Sequence, residues 1–244
     1  MADERERIYI IAGGHVNDDF VKDLLCDKKG KKRDDIYLLA VDRGLECLLR
    51  LKINPDEVIG DFDSVSDEAR IAIGLEPRKK AKKKAEGEEE SFVFDVLPYH
   101  IRQLDVHKDQ TDTEEAVRFA MRYLRGDIVL LGATGTRIDH VLGNVSILGL
   151  GVLSGYNIIL MDEHNKVTLV KDEMIIKKNE QFGDFVSIVP YTDETYVTLT
   201  GFRFNVEDKH MKTNLSLGIS NVIEEDEAKI VVNNGVAIVI ESRD

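Results

Sequence analysis

The sequence predicts an α/β domain with a mostly parallel sheet over residues 1–163, followed by an all-β sandwich over residues 164–244. Three observations lead there. Up to about Met161, short apolar runs alternate with amphipathic stretches, the pattern of a parallel sheet covered by helices. Beyond about His164 the texture changes to β-type runs separated by turn residues, and no strong helical period survives. With 43% hydrophobic residues in 244, there is apolar material for a core on each side of a boundary near residues 162–166.

In chain order, the expected strands of the first part are Ile8–Ala12, Ile36–Val41, Glu57–Ile59, Ile128–Leu131 and Asn157–Met161. Between them, Thr113–Arg125 places Ala116, Val117, Ala120, Met121 and Leu124 on one helical face, with Glu114, Glu115, Arg118 and Arg122 on another. Thr111 followed by Glu114 has the spacing of a capping box, which marks where this helix starts. In the second part the expected strands are Lys166–Val170, Phe185–Val189, Tyr196–Leu199, Leu215–Ile219, Ile230–Val232 and Val236–Ile240. Asn233-Asn234-Gly235 predicts a hairpin between the last two, because Asn and Gly accept positive φ.

Composition narrows the function classes. A net charge of −13 argues against a broad nucleic-acid-binding face, which needs clustered Lys and Arg. The basic cluster Arg78–Lys84 is followed at once by Glu86–Glu90, so it reads as a self-neutralising solvated block. Two cysteines, Cys26 and Cys47, do not make a disulfide framework and fit a reducing compartment. The opening MADERERIYIIAGG offers neither a secretion signal nor a membrane span, so a cytoplasmic protein without membrane partners is expected.

The sharpest chemical feature is Gly60-Asp61-Phe62-Asp63-Ser64, directly after the apolar Val58-Ile59. In an extended segment, residues two apart point to one side, so Asp61 and Asp63 are expected to aim together at the carboxyl end of a strand. Two hard oxygen ligands there suit Mg²⁺, while a polar turn is the plain alternative. Lys108-Asp109-Gln110-Thr111-Asp112 forms a second cluster at a strand-to-helix junction, the edge where open α/β sheets bind ligands. Asp112 there can complete the metal site, although a helix N-terminus favours an aspartate in any case. Gly132-Ala133-Thr134-Gly135-Thr136-Arg137-Ile138-Asp139-His140 follows another strand, and its small residues and Arg suit phosphate oxygens as well as a simple glycine turn. Gly13-Gly14 and Asp42-Arg43-Gly44 belong to the same predicted edge. The six histidines lack zinc-ligand spacing, and neither Ser64 nor Ser146 sits in a nucleophile elbow. What remains is positioning and charge neutralisation of a polyphosphate.

Taken in order, Ala12-Gly13-Gly14, Val41–Gly44, Gly60–Ser64, Lys108–Glu114 and Gly132–His140 resemble the bacterial-type thiamine pyrophosphokinases. The likeness continues through Leu199-Thr200-Gly201-Phe202 and Ser216–Asn221. It implies transfer of the diphosphate of ATP to the thiamine hydroxyl, giving thiamine diphosphate and AMP, in a homodimer that holds thiamine between domains of different chains. By position it implies Mg²⁺ on Asp61, Asp63 and Asp112, with Asp109 as a further catalytic carboxylate. It implies ATP contacts from Gly14, Asp42, Arg43, Lys108, Thr134, Gly135, Arg137 and Asp139, and thiamine contacts from Ser220 and Asn221. The general base stays open between Asp109 and Asp112. Two departures stand out: Thr136 occupies a position where the family often has a second glycine, and the block Arg78–Glu90 is longer than usual.

Two rival readings have definite consequences. Asp61-Phe62-Asp63-Ser64-Val65 also fits the D-x-D-x-V pattern of haloacid-dehalogenase phosphatases, which predicts phosphate release through an aspartyl intermediate. It leaves the other four motifs unused. A ligand sensor on the same fold would bind without turnover, and the intact Asp61, Asp63 and Asp112 argue against it.

Overall fold

The computed structural model describes residues 7–76 and 99–244; the charged block Arg78–Glu90 lies outside them. In the first half the chain alternates strand and helix: β1 (Arg7–Ile11), α1 (Asp18–Leu25), β2 (Ile36–Val41), α2 (Gly44–Leu51), β3 (Glu57–Gly60), α3 (Asp67–Ala72), β4 (His100–Gln103), α4 (Asp112–Tyr123), β5 (Asp127–Leu131), α5 (Ile138–Ser154) and β6 (Ile158–Met161). The strands order as β4-β3-β2-β1-β5-β6, with every neighbouring pair parallel. Each central strand is buried on both faces, which explains runs that are apolar throughout. Along β1, Tyr9 and Ile11 pack with Leu25 and Leu48 on the α1 and α2 side, whereas Ile8 and Ile10 pack with Val117 and Leu148 on the α4 and α5 side.

From β1 the chain steps outward through β2 and β3 to β4, then returns to place β5 on the other side of β1. The direction of winding therefore reverses between β1 and β5, and such a switch point opens a crevice at the carboxyl ends of the strands. Helix α4 begins as its sequence predicts: the Thr111 hydroxyl accepts from the Glu114 N–H at 3.2 Å, and Ala116, Val117 and Ala120 are buried.

The second half comprises β7 (Asn165–Val170), β8 (Glu173–Lys177), β9 (Phe185–Pro190), β10 (Tyr196–Thr200), β11 (Val206–His210), β12 (Glu227–Asn234) and β13 (Ala237–Ser242). Strands β7, β13 and β9 add antiparallel to β6 and extend the large sheet to nine strands. The other four form an antiparallel sheet ordered β11-β10-β12-β8. Val170, Val186, Ile188, Val197, Leu199, Ile230 and Val239 fill the space between the two layers as a sandwich core.

Three local expectations are corrected. Leu215–Ile219 is not a strand: Gly218 has φ +95° and its carbonyl accepts from the Ile188 N–H at 2.8 Å, while Leu215, Leu217 and Ile219 stay exposed. Asn233-Asn234-Gly235 does not close a hairpin. Gly235, at φ +78°, passes the chain from β12 in the small sheet to β13 in the large one. Strands β4, β8 and β11 went unanticipated: all three are edge strands, β4 and β11 carry mostly exposed polar residues that leave no apolar run, and β8 buries only Ile176.

Candidate active site

Three strand ends meet at the carboxyl edge of the sheet. Asp42 follows β2, Asp61 follows β3, and Asp112 opens α4 after the loop that leaves β4. One carboxylate oxygen from each lies within 4.8 Å of the other two, and all three residues are half-buried. Lys108 stands among them, with its Nζ 2.7 Å from Asp112 Oδ1 and 3.6 Å from Asp61 Oδ2, and it also donates to the Asp105 carbonyl at 3.1 Å. Asp42 takes φ +46°, which turns its side chain across the end of β3. A Cβ on Gly60 would lie 2.0 Å from Asp42 Oδ1, so the absence of a side chain at Gly60 is what makes room for this carboxylate.

Electrostatics follow from three carboxylates against one ammonium. Burial, then a hydrogen bond to Asp112 and repulsion from Asp112 and Asp61, push the Asp42 carboxyl up to about 8, against a smaller opposing effect of the Phe62 N–H. Asp42 therefore keeps its proton to higher pH than a free aspartate. Burial lowers the Lys108 pKa, but Asp112, Asp61 and Asp42 together outweigh it and the ammonium is stabilised. A cluster that recruits both a lysine and a proton to offset its charge fits a divalent cation held by hard oxygens.

The pairing of Asp61 with Asp63 does not hold as geometry. Phe62 adopts φ +59° and is fully buried, so the segment is not extended and the two aspartates no longer alternate onto one side. Asp61 turns inward. Asp63 is exposed and donates its backbone N–H to Asp61 Oδ1 at 3.0 Å. The carboxylate that joins Asp61 and Asp112 is Asp42, which the sequence placed on the nucleotide side. Asp109 is exposed on the loop before α4, outside the cluster.

At the β1–β5 switch point the glycines approach closely. The Gly14 N–H donates to the Gly132 carbonyl at 2.9 Å, and a Cβ on Gly14 would lie 2.3 Å from that oxygen. Gly135 lies beside Gly14, with its notional Cβ 4.0 Å from the Gly14 Cα. The Thr134 hydroxyl donates to Asp162 Oδ2 at 2.6 Å, and the buried Asn144 amide donates to the Ala133 carbonyl at 2.8 Å. Asp162, missed by sequence reading, also accepts from the His164 and Asn165 N–H groups with its other oxygen. Arg137 forks onto Asp139 at 2.6 and 3.2 Å, both at the surface, and the hydrogen bond between them raises Arg137 and lowers Asp139. Arg43 is exposed at the start of α2, 3.7 Å from Glu46 Oε2. A groove of about 500 Å³ runs between α4 and α5, lined by Thr111, Glu114, Asp139, His140, Asn144 and Ile147 among others.

In the second half, Ser220 is exposed with φ +57°, and its N–H donates to Ser187 Oγ at 3.0 Å. Asn221 is 4% exposed, and its side chain is committed to backbone: Oδ1 accepts from the Phe204 and Val222 N–H groups, and Nδ2 donates to the Phe204 carbonyl. Its own N–H and carbonyl pair with Val186, which covers the free edge of β9. The two predicted thiamine contacts are thus adjacent but unlike, one facing solvent and one locked inside.

The family model described as "Thiamin pyrophosphokinase, catalytic domain" matches residues 31–160, and the one described as "Thiamin pyrophosphokinase, vitamin B1 binding domain" matches residues 173–237. Thiamine pyrophosphokinase of Bacillus subtilis (strain 168) is 30% identical over 239 residues, covering 97% of this chain and 99% of that protein. A crystal structure of thiamine pyrophosphokinase from Bacillus subtilis superimposes with a TM-score of 0.78 at 29% identity, over 98% of this chain and 100% of the other. The corresponding structure from Geobacillus thermodenitrificans gives a TM-score of 0.75 at 25% identity over 98% of each chain. No helix among the described residues is long and apolar enough to cross a membrane.

Proposed function

The chain belongs to the thiamin pyrophosphokinase family, and from that premise we propose how its residues carry the reaction. The activity is that of a thiamine diphosphokinase, which moves a diphosphate group onto the hydroxyl of thiamine. ATP is the donor in this reading, so the products are thiamine diphosphate and AMP. The observation that carries it is the convergence of Asp42, Asp61 and Asp112 around Lys108 at the carboxyl edge of the parallel sheet. Mg²⁺ held there supplies charge neutralisation for the polyphosphate and for the departing AMP.

The roles divide as follows. Asp42, Asp61 and Asp112 hold the cation, and Lys108 exchanges carboxylate for phosphate oxygens when substrate enters. Asp63 and Asp109, both exposed at the rim, face the incoming phosphates and the thiamine hydroxyl. Gly14 and Gly135 leave the crevice open to close approach by the nucleotide. Thr134, whose proton goes to Asp162, offers the nucleotide an acceptor. Arg43 and Arg137 supply mobile positive charge, and Asp139 keeps Arg137 near the groove. Residues 1–163 carry the nucleotide and residues 164–244 the thiamine. Ser220 makes the direct contact, and Asn221 holds the turn that presents it.

Phe204, Leu215, Leu217 and Ile219 are between 44% and 66% exposed near Ser220, an apolar surface that a second copy of the chain would cover. A homodimer with thiamine between unlike domains accounts for it. The decisive test is incubation with ATP, Mg²⁺ and thiamine, followed by identification of the nucleotide product. AMP is expected. ADP would point to a simple kinase, and free phosphate to the phosphatase reading.

A further inference from the structure

Phe62 is the centre of an over-determined turn. A bulky residue at φ +59° is a genuine backbone outlier, and such strain persists only where the surroundings enforce it. Its ring is fully buried among Val58, Val65 and Ala69, and its N–H donates to Asp42 Oδ1 at 3.3 Å. Its carbonyl accepts from Arg70 Nη1 at 2.9 Å. Arg70 lies one helical turn past the Ser66 cap of α3, and its Nε donates to the Glu76 carbonyl at 2.9 Å, so the guanidinium is held between two backbone oxygens. The far end of the turn is tied as well, because the Ser66 N–H donates to Glu46 Oε1 at 2.7 Å.

The consequence concerns the two aspartates that flank Phe62. The left-handed peptide is what sends Asp61 inward to Asp42 and Asp112 while Asp63 faces outward. The Asp42 side chain, accepting from the Phe62 N–H, and the Arg70 guanidinium, donating to the Phe62 carbonyl, fix the two peptide planes that meet at Phe62. Arg70 is not in the carboxylate cluster. We propose that Arg70 is a positioning residue for the cation site: by holding the Phe62 carbonyl it maintains the turn that aims Asp61 at the metal. The inference rests on the metal reading given above, and its test separates the two.

Mn²⁺ binding to the nucleotide-free protein is measured by calorimetry for the wild type, Asp61→Asn, Arg70→Ala and Arg70→Lys, with thermal melting alongside. Residues that orient metal ligands typically change affinity by about 10- to 100-fold when replaced. Arg70→Ala is expected to weaken Mn²⁺ binding at least about tenfold and to raise the Mg²⁺ concentration for half-maximal turnover in parallel. Arg70→Lys keeps one donor within reach of the Phe62 carbonyl and is expected to recover part of that loss. Wild-type Mn²⁺ affinity in a folded Arg70→Ala overturns the inference, even if the melting temperature falls. Should Arg70→Ala not fold, Arg70→Lys and Arg70→Gln decide the matter, and unchanged affinity in both overturns it too. Absence of Mn²⁺ binding in the wild type, or an Asp61→Asn without effect, instead removes the metal reading itself.

Discussion

Phe62 and Ser220 are both non-glycine residues in the left-handed region, at φ +59° and +57°, yet the two turns put their functional groups in opposite places. At Phe62 the turn residue is the anchor, fully buried; its neighbour Asp61 joins the carboxylate cluster while Asp63 faces outward. At Ser220 the turn residue faces solvent, and its neighbour Asn221 is the anchor, 4% exposed and bonded to Phe204 and Val222. Each strained residue costs of order 1–3 kcal/mol, so neither turn survives without its anchor. The first turn aims Asp61 at Asp42 and Asp112, and the proposed cation site there demands fixed geometry. The second presents one hydroxyl to solvent, and for the proposed thiamine contact a single held peptide suffices.

If the first turn and its partners gather the metal ligands, Asp61→Asn or Asp112→Asn should lower turnover at least about a hundredfold, equivalent to roughly 2.7 kcal/mol of transition-state stabilisation. Steady-state rates at limiting Mg²⁺ measure this directly. Asp63→Asn sharpens the comparison, since Asp63 sits outside the inner cluster. A loss as large as that for Asp61 would place its carboxylate on the reacting complex despite its exposed position here. Near wild-type turnover in folded Asp61→Asn would detach the turn from catalysis.

Much of this arrangement was legible in the residues, and the failures have physical causes. The parallel strands read cleanly because burial on both faces makes them apolar throughout, and α4 read cleanly because Thr111 and Glu114 supply its start. Asp61 and Asp112 were placed correctly at strand and helix ends. Asp42 was assigned to the nucleotide because its approach to Asp61 depends on two positive φ angles, at Asp42 and Phe62, that no side-chain pattern announces. Asp162 was missed since its partner Thr134 is 28 residues away on another strand end. Leu215–Ile219 misled for the opposite reason: its alternating Leu and Ile residues mimic a buried strand but lie on an exposed turn.

The second turn is expected to break differently. Asn221→Ala strips the Phe204 and Val222 N–H groups and the Phe204 carbonyl of their partner in a part-buried setting. Groups left unpaired there reach solvent in part, so the loss lies toward the lower end of the usual range, and chemical denaturation should register about 1 kcal/mol or more. Thiamine affinity should fall with it. An unchanged denaturation midpoint would mean that Asn221 is not the anchor.

Proton uptake offers a gentler probe of the first turn. The Asp42 carboxyl is raised from 3.8 to about 8 in the folded protein, first by burial and then by Asp112. Between those values the folded chain keeps a proton that the unfolded chain has released, so stability from this group falls as pH rises through the window. The metal-free melting temperature should therefore decline between about pH 5 and pH 8 more steeply than in Asp42→Asn. Because Mg²⁺ competes with that proton, the stabilisation it gives should grow over the same range. Equal slopes in wild type and variant would show that Asp42 is ionised in the metal-free protein.

The smallest expected effect is at Ser220, and it is the one that separates display from anchoring. Replacing Ser220 by Gly removes the hydroxyl and also removes the steric cost of a Cβ at φ +57°, roughly 1–2 kcal/mol for an L-residue in that region, offset in part by the greater chain entropy of glycine. Ser220→Ala removes the same hydroxyl and keeps the strain. The backbone N–H that donates to Ser187 Oγ persists in both, as does the Asn221 anchor. If Ser220 only presents its hydroxyl to thiamine, both variants should bind thiamine about fivefold more weakly, the loss of one net hydrogen bond, with ATP affinity unmoved. Ser220→Gly should melt at or above the wild-type temperature and Ser220→Ala near it. Calorimetry with each ligand separately, beside thermal melting, reads the two effects apart. Weakening of ATP and thiamine together would place Ser220 at the junction of the two substrates, and a large fall in melting temperature for Ser220→Gly would make Ser220 a second anchor, erasing the difference between the turns.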